Sequence, residues 1–170
     1  LVIANAGTSA GTRSQGERET QARDIFAVNL DGVLNTVWPA ITAMCGRSRG
    51  QIAIVSSIAG FRGMPGTPAY SASKAAVKAY GEALRGWLAA DGVKVSVVLP
   101  GFVDTPMTRV NRFPMPLLMT ADKAAAIILR GLARNRGRIA FPWPTAFAAW
   151  LAGALPDALI GRLTRGMPGK

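Results

Sequence analysis

The stretch QIAIVSSIAGFRGMPGTPAYSASKAAVKAYGEALRGWLAADGVKVSVVLPG, residues 51–101, decides the fold of this chain. Residues 51–56 are a short run rich in β-branched side chains, which is typical of a buried strand. Residues 70–90 are rich in Ala, Lys, Glu and Leu and end at Asp-Gly, so they predict a helix, and residues 94–99 predict a second strand. A strand, a crossover helix and another strand of these lengths predict two parallel strands of one sheet.

The alternation of strand and helix continues upstream of this unit. Residues 1–4 form an apolar run that ends in a turn, which predicts a buried strand. Residues 17–44 carry apolar side chains at helical spacings, with acidic residues at the start. This pattern predicts a long helix with a bend near Gly32 or Pro39.

Two further elements follow downstream. Residues 102–119 contain three prolines and no clear period, which predicts a long loop of the kind that covers a site. Residues 120–134 predict a helix with Thr120 as its N-cap, and residues 138–141 predict a fourth strand. We therefore predict an α/β fold, a doubly wound and Rossmann-like parallel sheet with helices on both faces.

The composition excludes several kinds of site. The 170 residues include no histidine and one cysteine, Cys45. They therefore contain no Ser-His-Asp triad, no Cys-His pair, no HExxH zinc site and no intrachain disulfide. We expect Cys45 to be a buried small hydrophobic residue, and we expect no metal site.

The net charge bears on the partners of this chain. Lys and Arg outnumber Asp and Glu by 20 to 9, a net charge of +11, which raises nucleic acid or an anionic membrane as a partner. The one dense basic cluster lies at the end of a predicted helix, where the dipole favours cations, and no nucleic-acid-binding signature accompanies it. We therefore expect no nucleic-acid partner. No apolar run reaches 18 residues and no secretory signal is recognisable, so we expect a cytoplasmic protein.

Tyr70 and Lys74 have the spacing of a proton-transfer pair. They stand four residues apart at the start of a predicted helix, so both side chains share one face. An ammonium group beside a phenol favours the phenolate and moves the phenol pKa, ordinarily about 10, toward neutrality. Ser57 follows one predicted strand and Pro100-Gly101 closes the next, and ligands of open parallel sheets bind at these strand ends. We therefore expect these residues to face one crevice.

Taken together, these motifs resemble the short-chain dehydrogenase/reductase family, from its fourth strand to its C-terminus. The resemblance covers the N-A-G turn after the fourth strand, the helix asparagine, the serine with its Y-x-x-x-K pair, and the P-G-x-x-x-T segment that lines the nicotinamide. Ala4 stands where a second Asn is common in the family. The matching residues are Asn5, Ala6, Gly7, Asn29, Ser57, Tyr70, Lys74, Pro100, Gly101 and Thr105.

The resemblance implies an oxidoreductase that transfers a hydride between NAD or NADP and an alcohol or carbonyl substrate. Tyr70 would be the general acid or base, and Ser57 would hydrogen-bond the same substrate oxygen. Lys74 would lower the Tyr70 pKa and hold the nicotinamide ribose, while Asn29 would position a water that links Lys74 to solvent. Ser56 is the alternative to Ser57, and the alternative role of Asn29 is that of a helix-kink residue bonded to local backbone.

The remaining residues of the match imply cofactor contacts. The turn at residues 5–7 and the segment from Pro100 and Gly101 to Thr105 would line the cofactor together with Tyr70 and Lys74. The family's catalytic unit would span residues 1–141 of this chain. Members commonly form homo-oligomers, and we expect one here.

The phosphate-binding half of a Rossmann domain is not found in these residues. Such a domain binds phosphates with a Gly-rich turn after its first strand and selects NAD or NADP near the end of its second. The glycines at 7, 11 and 16 are too widely spaced for G-x-G-x-x-G. We therefore expect about 80 to 90 further residues before Leu1. The alternative is a cofactor-incompetent fragment that serves as a binding or membrane-associated scaffold protein.

Apolar residues are concentrated in residues 102–119 and near the C-terminus. In the family the corresponding segments wall the substrate pocket, so we expect a bulky apolar alcohol or carbonyl substrate. The alternative is that these side chains only pack the loop onto the sheet. They are Phe102, Met107, Phe113, Met115, Leu117, Leu118, Met119, Phe141, Trp143, Phe147 and Trp150.

Residues 142–170 form an apolar and then basic segment of the same domain. Residues 146–155 carry no polar side chain and are followed by Arg162, Arg165 and Lys170. An apolar anchor with a basic flank suits the surface of an anionic membrane. The alternative, common in the family, is that this segment closes the substrate pocket or a subunit interface.

Overall fold

The computed structural model describes residues 1–10, 16–111, 113–156 and 158–159. Arg162, Arg165 and Lys170 of the predicted basic flank lie outside the described residues. Four strands form one parallel sheet in the order β1, β2, β3, β4. They are β1 (Val2–Ala4), β2 (Gly50–Val55), β3 (Val93–Pro100) and β4 (Arg138–Phe141).

Six α-helices connect and flank these strands. They are α1 (Glu19–Phe26), α2 (Gly32–Cys45), α3 (Pro68–Trp87), α4 (Pro106–Arg109), α5 (Ala121–Ala133) and α6 (Trp143–Ala154). A π-helical turn, Ala27–Asp31, joins α1 to α2, and a 3-10 turn, Ile58–Phe61, follows β2. Among the residues that the structure describes, no helix is both long enough and apolar enough to cross a membrane.

Both faces of the sheet are covered, which explains the unbroken apolar runs of its central strands. On one face Ile52, Ile54 and Val95 pack against α2 and α3. On the other face Ala53 and Val98 pack against α5. The structure confirms the predicted α/β, Rossmann-like arrangement with helices on both sides of a parallel sheet. Cys45 is half-buried at the end of α2, where it packs against the first of these cores.

The long helix predicted at residues 17–44 is present, and its irregularity lies next to Gly32, one of the two positions predicted for the bend. The π-helical turn ends immediately before Gly32, while Pro39 lies inside α2. A π-turn inserts an extra residue and re-aims the side chains around it. The side chain it carries inward is Asn29, which is fully buried.

The region predicted as a loop at residues 102–119 contains the short helix α4. Thr105 begins this helix and forms a capping box with Thr108. A single helical turn leaves no apolar periodicity to detect, which is why the sequence did not indicate it. Thr120 caps α5 as predicted, since its hydroxyl accepts a hydrogen bond from the Lys123 N–H at 3.3 Å.

Candidate active site

Ser57, Tyr70 and Lys74 are brought together at the carboxyl edge of the sheet. Ser57 lies just beyond the end of β2, and its hydroxyl accepts a hydrogen bond from the Ala59 N–H at 3.1 Å. The same hydroxyl lies 3.4 Å from the Pro100 carbonyl at the end of β3. Tyr70 lies in the first turn of α3, and Ser57 lies close enough to its phenol to lower the phenol pKa. Two neighbouring strand ends and one helix start therefore converge on one point.

The Tyr70 phenol is largely shielded from solvent. Burial raises its pKa above the ordinary value, and the hydrogen bond with Ser57 offsets part of that rise. The Lys74 amino group lies 5.9 Å from the centre of the Tyr70 ring. The pKa of Tyr70 is raised because the loss of hydration outweighs the interaction with Ser57, and the expected lowering by Lys74 stays a prediction.

Lys74 is itself buried, with 4% of its surface exposed. Its amino group donates a hydrogen bond to the Val55 carbonyl at 2.9 Å, at the last residue of β2. Burial lowers the pKa of Lys74 to about 8. An amine with this pKa exchanges its proton close to neutral pH, which an exposed lysine does not.

Asn29 links the turn after β1 to helix α3. Its side-chain oxygen accepts a hydrogen bond from the Thr8 N–H at 2.7 Å, and its amide group donates to the Thr8 carbonyl at 2.9 Å. The amide also donates to the Ser73 hydroxyl at 3.0 Å, and Ser73 in turn donates to the Tyr70 carbonyl at 2.8 Å. These partners are distant in sequence. The alternative interpretation, in which Asn29 hydrogen-bonds only local backbone, is therefore wrong.

The turn at residues 5–7 lies directly beside these side chains. A Cβ atom on Gly7 would stand 3.3 Å from the Lys74 amino group and 3.4 Å from the side-chain oxygen of Asn29. Glycine therefore lets the backbone approach the lysine closely, whereas a Cβ atom would make a tight contact with its amino group. Asn5 and Ala6 are exposed.

The Pro100-Gly101 segment lies where β3 ends. The Gly101 N–H donates a hydrogen bond to the Phe141 carbonyl at 2.7 Å, which joins the ends of β3 and β4. Thr105 is half-buried at the start of α4, with its hydroxyl 3.3 Å from that of Thr108. Pro100 and Gly101 thus border Ser57, and Thr105 follows on the segment leading away from it.

Sequence reasoning missed three residues that hold α3 in place. The Ser56 hydroxyl, considered only as a rival to Ser57, donates to the Lys74 carbonyl at 2.7 Å. Ser73, directly before Lys74, links Asn29 to α3. The Glu17 carboxylate accepts from the Ala69 N–H, with oxygens at 3.1 and 3.2 Å, and so caps the start of α3. Ser73 stood inside the recognised motif, but no local signal connects Glu17 with a helix start 52 residues away.

Comparison with known proteins identifies the family of this chain. The family model described as short chain dehydrogenase matches residues 1–114. An "Uncharacterized oxidoreductase" of Myxococcus xanthus is 38% identical over 97% of this chain. A 3-oxoacyl-[acyl-carrier-protein] reductase of Thermotoga maritima is 30% identical over 76% of the chain and is covered over 56% of its own length. The chain spans 65% of the length of the Myxococcus relative.

Solved structures show the same fold and the same partial coverage. A short-chain dehydrogenase of Burkholderia cenocepacia, solved in complex with NADP, superposes with a TM-score of 0.81 at 29% identity. The superposition includes 95% of this chain and 69% of the Burkholderia chain. A short-chain dehydrogenase of Streptomyces avermitilis superposes with a TM-score of 0.71 at 25% identity, covering 96% of this chain and 67% of its own. The site geometry, the family model and these relatives agree, and the chain belongs to the short-chain dehydrogenase family.

Proposed function

We propose that the full-length protein is an NAD(P)-dependent oxidoreductase that transfers a hydride between the nicotinamide and an alcohol or carbonyl substrate. The observation that carries this proposal is the meeting of the Ser57 hydroxyl, the Tyr70 phenol and the buried Lys74 amine at the ends of β2 and β3. A scaffold protein without a cofactor would not require this arrangement.

The residues beside Lys74 fit a nicotinamide ribose. An ammonium group has three protons, of which one goes to the Val55 carbonyl, and the other two suit the hydroxyls of a ribose. Gly7 leaves open a space that a side chain would fill. The Burkholderia relative was solved with NADP, which supports NADP or NAD as the cofactor. The phosphate-binding turn belongs to the expected upstream half of the domain.

The three polar side chains divide the proton chemistry between them. When bound, NAD(P)H supplies a hydride to the carbonyl carbon, and the oxidised form takes one up in the reverse direction. A Tyr70 phenol with a raised pKa keeps its proton at neutral pH and so can donate it to the carbonyl oxygen. The Ser57 hydroxyl holds the same oxygen, and the positive charge of Lys74 stabilises the phenolate that remains.

Asn29 supports this chemistry by fixing the position of α3. Both protons of its amide group are engaged, by Thr8 and Ser73, so its contribution to a proton relay through water rests on its side-chain oxygen. We retain this relay as part of the proposal, together with the cofactor contacts of Asn5 and Ala6 and of Thr105.

The substrate we propose is an apolar alcohol or carbonyl compound. Phe102 and Phe113 meet edge to face at 6.0 Å in the segment after β3, and Met107, Leu117 and Leu118 of the same segment are exposed. We propose that these side chains form an apolar wall of the substrate site. We also propose that the protein forms a homo-oligomer, because Trp38 and Trp87 form an exposed aromatic pair on α2 and α3. We propose that it is located in the cytoplasm.

Calorimetry and turnover of the full-length protein test these proposals separately. We expect NADP or NAD to bind, and we expect higher kcat/KM for aliphatic and polycyclic ketones than for small polar carbonyl compounds. Absence of cofactor binding would contradict the proposed function. A preference for small polar carbonyl compounds would contradict the substrate class alone.

A further inference from the structure

Helix α6 exposes a row of aromatic side chains. Trp143 stacks on Phe147, and Phe147 contacts Trp150, with ring centres 5.7 Å apart in both pairs. Their exposed fractions are 72%, 48% and 48%. The helix has no charged residue along its 12 positions. We call these three residues the aromatic row; an apolar face of this kind marks a contact surface.

Helix α6, which carries the aromatic row, packs on the segment that follows Ser57. Arg62, just after the 3-10 turn that follows Ser57, donates hydrogen bonds to the Ala152 and Leu155 carbonyls at 3.1 and 2.9 Å. Gly153 packs so closely on this turn that an added Cβ would stand 2.6 Å from the Phe61 carbonyl oxygen. Helix α6 is therefore anchored to the same segment that carries Ser57, at the carboxyl edge of the sheet.

Charge distinguishes between the surfaces that can cover the aromatic row. The chain carries a net charge of +11, and beyond Asp157 its sequence has basic residues and no acidic one. A second copy of this chain would bring the same positive flank to the contact, whereas an anionic surface brings the opposite charge. The two indole rings at the ends of the row suit a lipid headgroup layer, in which their N–H groups remain hydrated.

Helix α6 is too short to cross such a membrane. Twelve residues rise about 18 Å, well short of the roughly 30 Å of a bilayer core. We propose that α6 lies flat on an anionic lipid surface with the aromatic row buried in the headgroup region. This docking turns the carboxyl edge of the sheet toward the bilayer. Supply of an apolar substrate from the lipid is a consequence that rests on the proposed function, whereas the docking itself does not.

The tryptophans of the chain allow a direct test of which face meets the lipid. The chain has four of them, two on α6 and two, Trp38 and Trp87, on α2 and α3. In the full-length protein, with any tryptophan outside these 170 residues replaced by Phe, one variant keeps only the α6 pair (W38F/W87F) and the other keeps only the second pair (W143F/W150F).

Phosphatidylglycerol and phosphatidylcholine vesicles with brominated acyl chains then report contact through quenching. We expect the emission of the α6 pair to shift to shorter wavelength and to be quenched, and the emission of the second pair to stay unchanged. Quenching confined to the Trp38 and Trp87 pair, or absence of quenching from the α6 pair, would overturn the proposal.

Trp150→Ser and Leu129→Ser provide a pair for binding, because both apolar side chains are exposed, at 48% and 59%, and Leu129 lies on α5 away from the aromatic row. We expect Trp150→Ser to weaken co-sedimentation with anionic vesicles about tenfold, and added salt or neutral lipid to weaken it as well. Leu129→Ser should bind vesicles as wild type does. Equal binding by both variants, or a smaller oligomer for Trp150→Ser with unchanged vesicle binding, would overturn the docking. Nicotinamide turnover that persists without vesicle binding would leave the proposed function standing.

Discussion

Helices α3 and α6 both contact the 3-10 turn after β2, but they are held in different ways. The start of α3 is fixed by polar groups from three other segments, namely Glu17, Asn29 and Ser56. Helix α6 is held by Arg62 and by one buried side chain, Ala146, while its aromatic row is exposed. The difference shows that the chain constrains the helix that carries Tyr70 and Lys74 more tightly than the neighbouring helix, whose aromatic row stays exposed.

The largest loss of stability should come from Asn29→Ala, which removes one of the polar groups that hold α3. The substitution leaves the Thr8 N–H and carbonyl and the Ser73 hydroxyl without their partner in a fully buried position. We expect the free energy of unfolding to fall by about 3 kcal/mol, measured by urea denaturation. Asn35→Ala, at an exposed position of α2, is the control and should change little. Equal losses in the two variants would show that Asn29 is not a tie between segments.

Alanine substitutions at Gly60, in the 3-10 turn against α3, and at Gly153, in α6, compare how easily the two helices can shift. An added Cβ would stand 2.7 Å from the Lys74 carbonyl at Gly60, and 2.6 Å from the Phe61 carbonyl at Gly153. Because α3 is held on several sides and α6 is not, we expect Gly60→Ala to cost about 2 kcal/mol and Gly153→Ala about 1 kcal/mol or less. Thermal denaturation measures both, and a larger cost at Gly153 would reverse the comparison.

Glu17 tests the capping of α3 in isolation. Glu17→Ala removes the acceptor of the Ala69 N–H at the helix start, and we expect a loss of about 1 kcal/mol in the free energy of unfolding. Glu19→Ala is the matched control, since that carboxylate forms only an exposed ion pair with Arg23. If both variants lose the same stability, the capping bond contributes nothing specific.

A separate effect is the pH dependence that Lys74 gives to stability. Its pKa is about 8 in the folded protein, against 10.5 for the ordinary side chain. Between these values the unfolded chain holds a proton that the folded protein has released, so the free energy of unfolding rises with pH. Lys74→Met should remove this rise between about pH 8 and 9.5. Lys123→Met, at an exposed site on α5, should keep it, and an unchanged slope in Lys74→Met would show that Lys74 titrates normally.

Much of the fold follows from local patterns. The strand, helix and strand within residues 51–101 are visible as runs of two different periods, and the rule that parallel strands end at one edge brings Ser57 next to Tyr70. The π-helical turn could not be predicted in the same way. Asn29, the residue it carries inward, is held by Thr8 and Ser73, and those contacts exist only in the folded chain.

The electrostatics of the site also depend on tertiary structure. The spacing of Tyr70 and Lys74 predicts a lowered phenol pKa, but spacing carries no information about burial, which raises it. The contact between Glu17 and the start of α3 could not be predicted either, because it joins two segments that meet only in the folded chain. Residue types and their order therefore point to Ser57, Tyr70 and Lys74 as candidate reacting groups, while the pKa values and supports of these residues come from packing.

The chain contains two tyrosines, and comparison of Tyr70→Phe with Tyr80→Phe tests the central claim most directly. Tyr70 meets Ser57 at the carboxyl edge, whereas Tyr80 packs against the core between the sheet and α3. In the full-length protein we expect Tyr70→Phe to lower kcat by about 10² to 10⁴, as loss of a general acid does, with cofactor binding and folding retained. Tyr80→Phe should keep turnover close to wild type. A folded Tyr70→Phe variant with near wild-type kcat would contradict the assignment of Tyr70 as the proton donor.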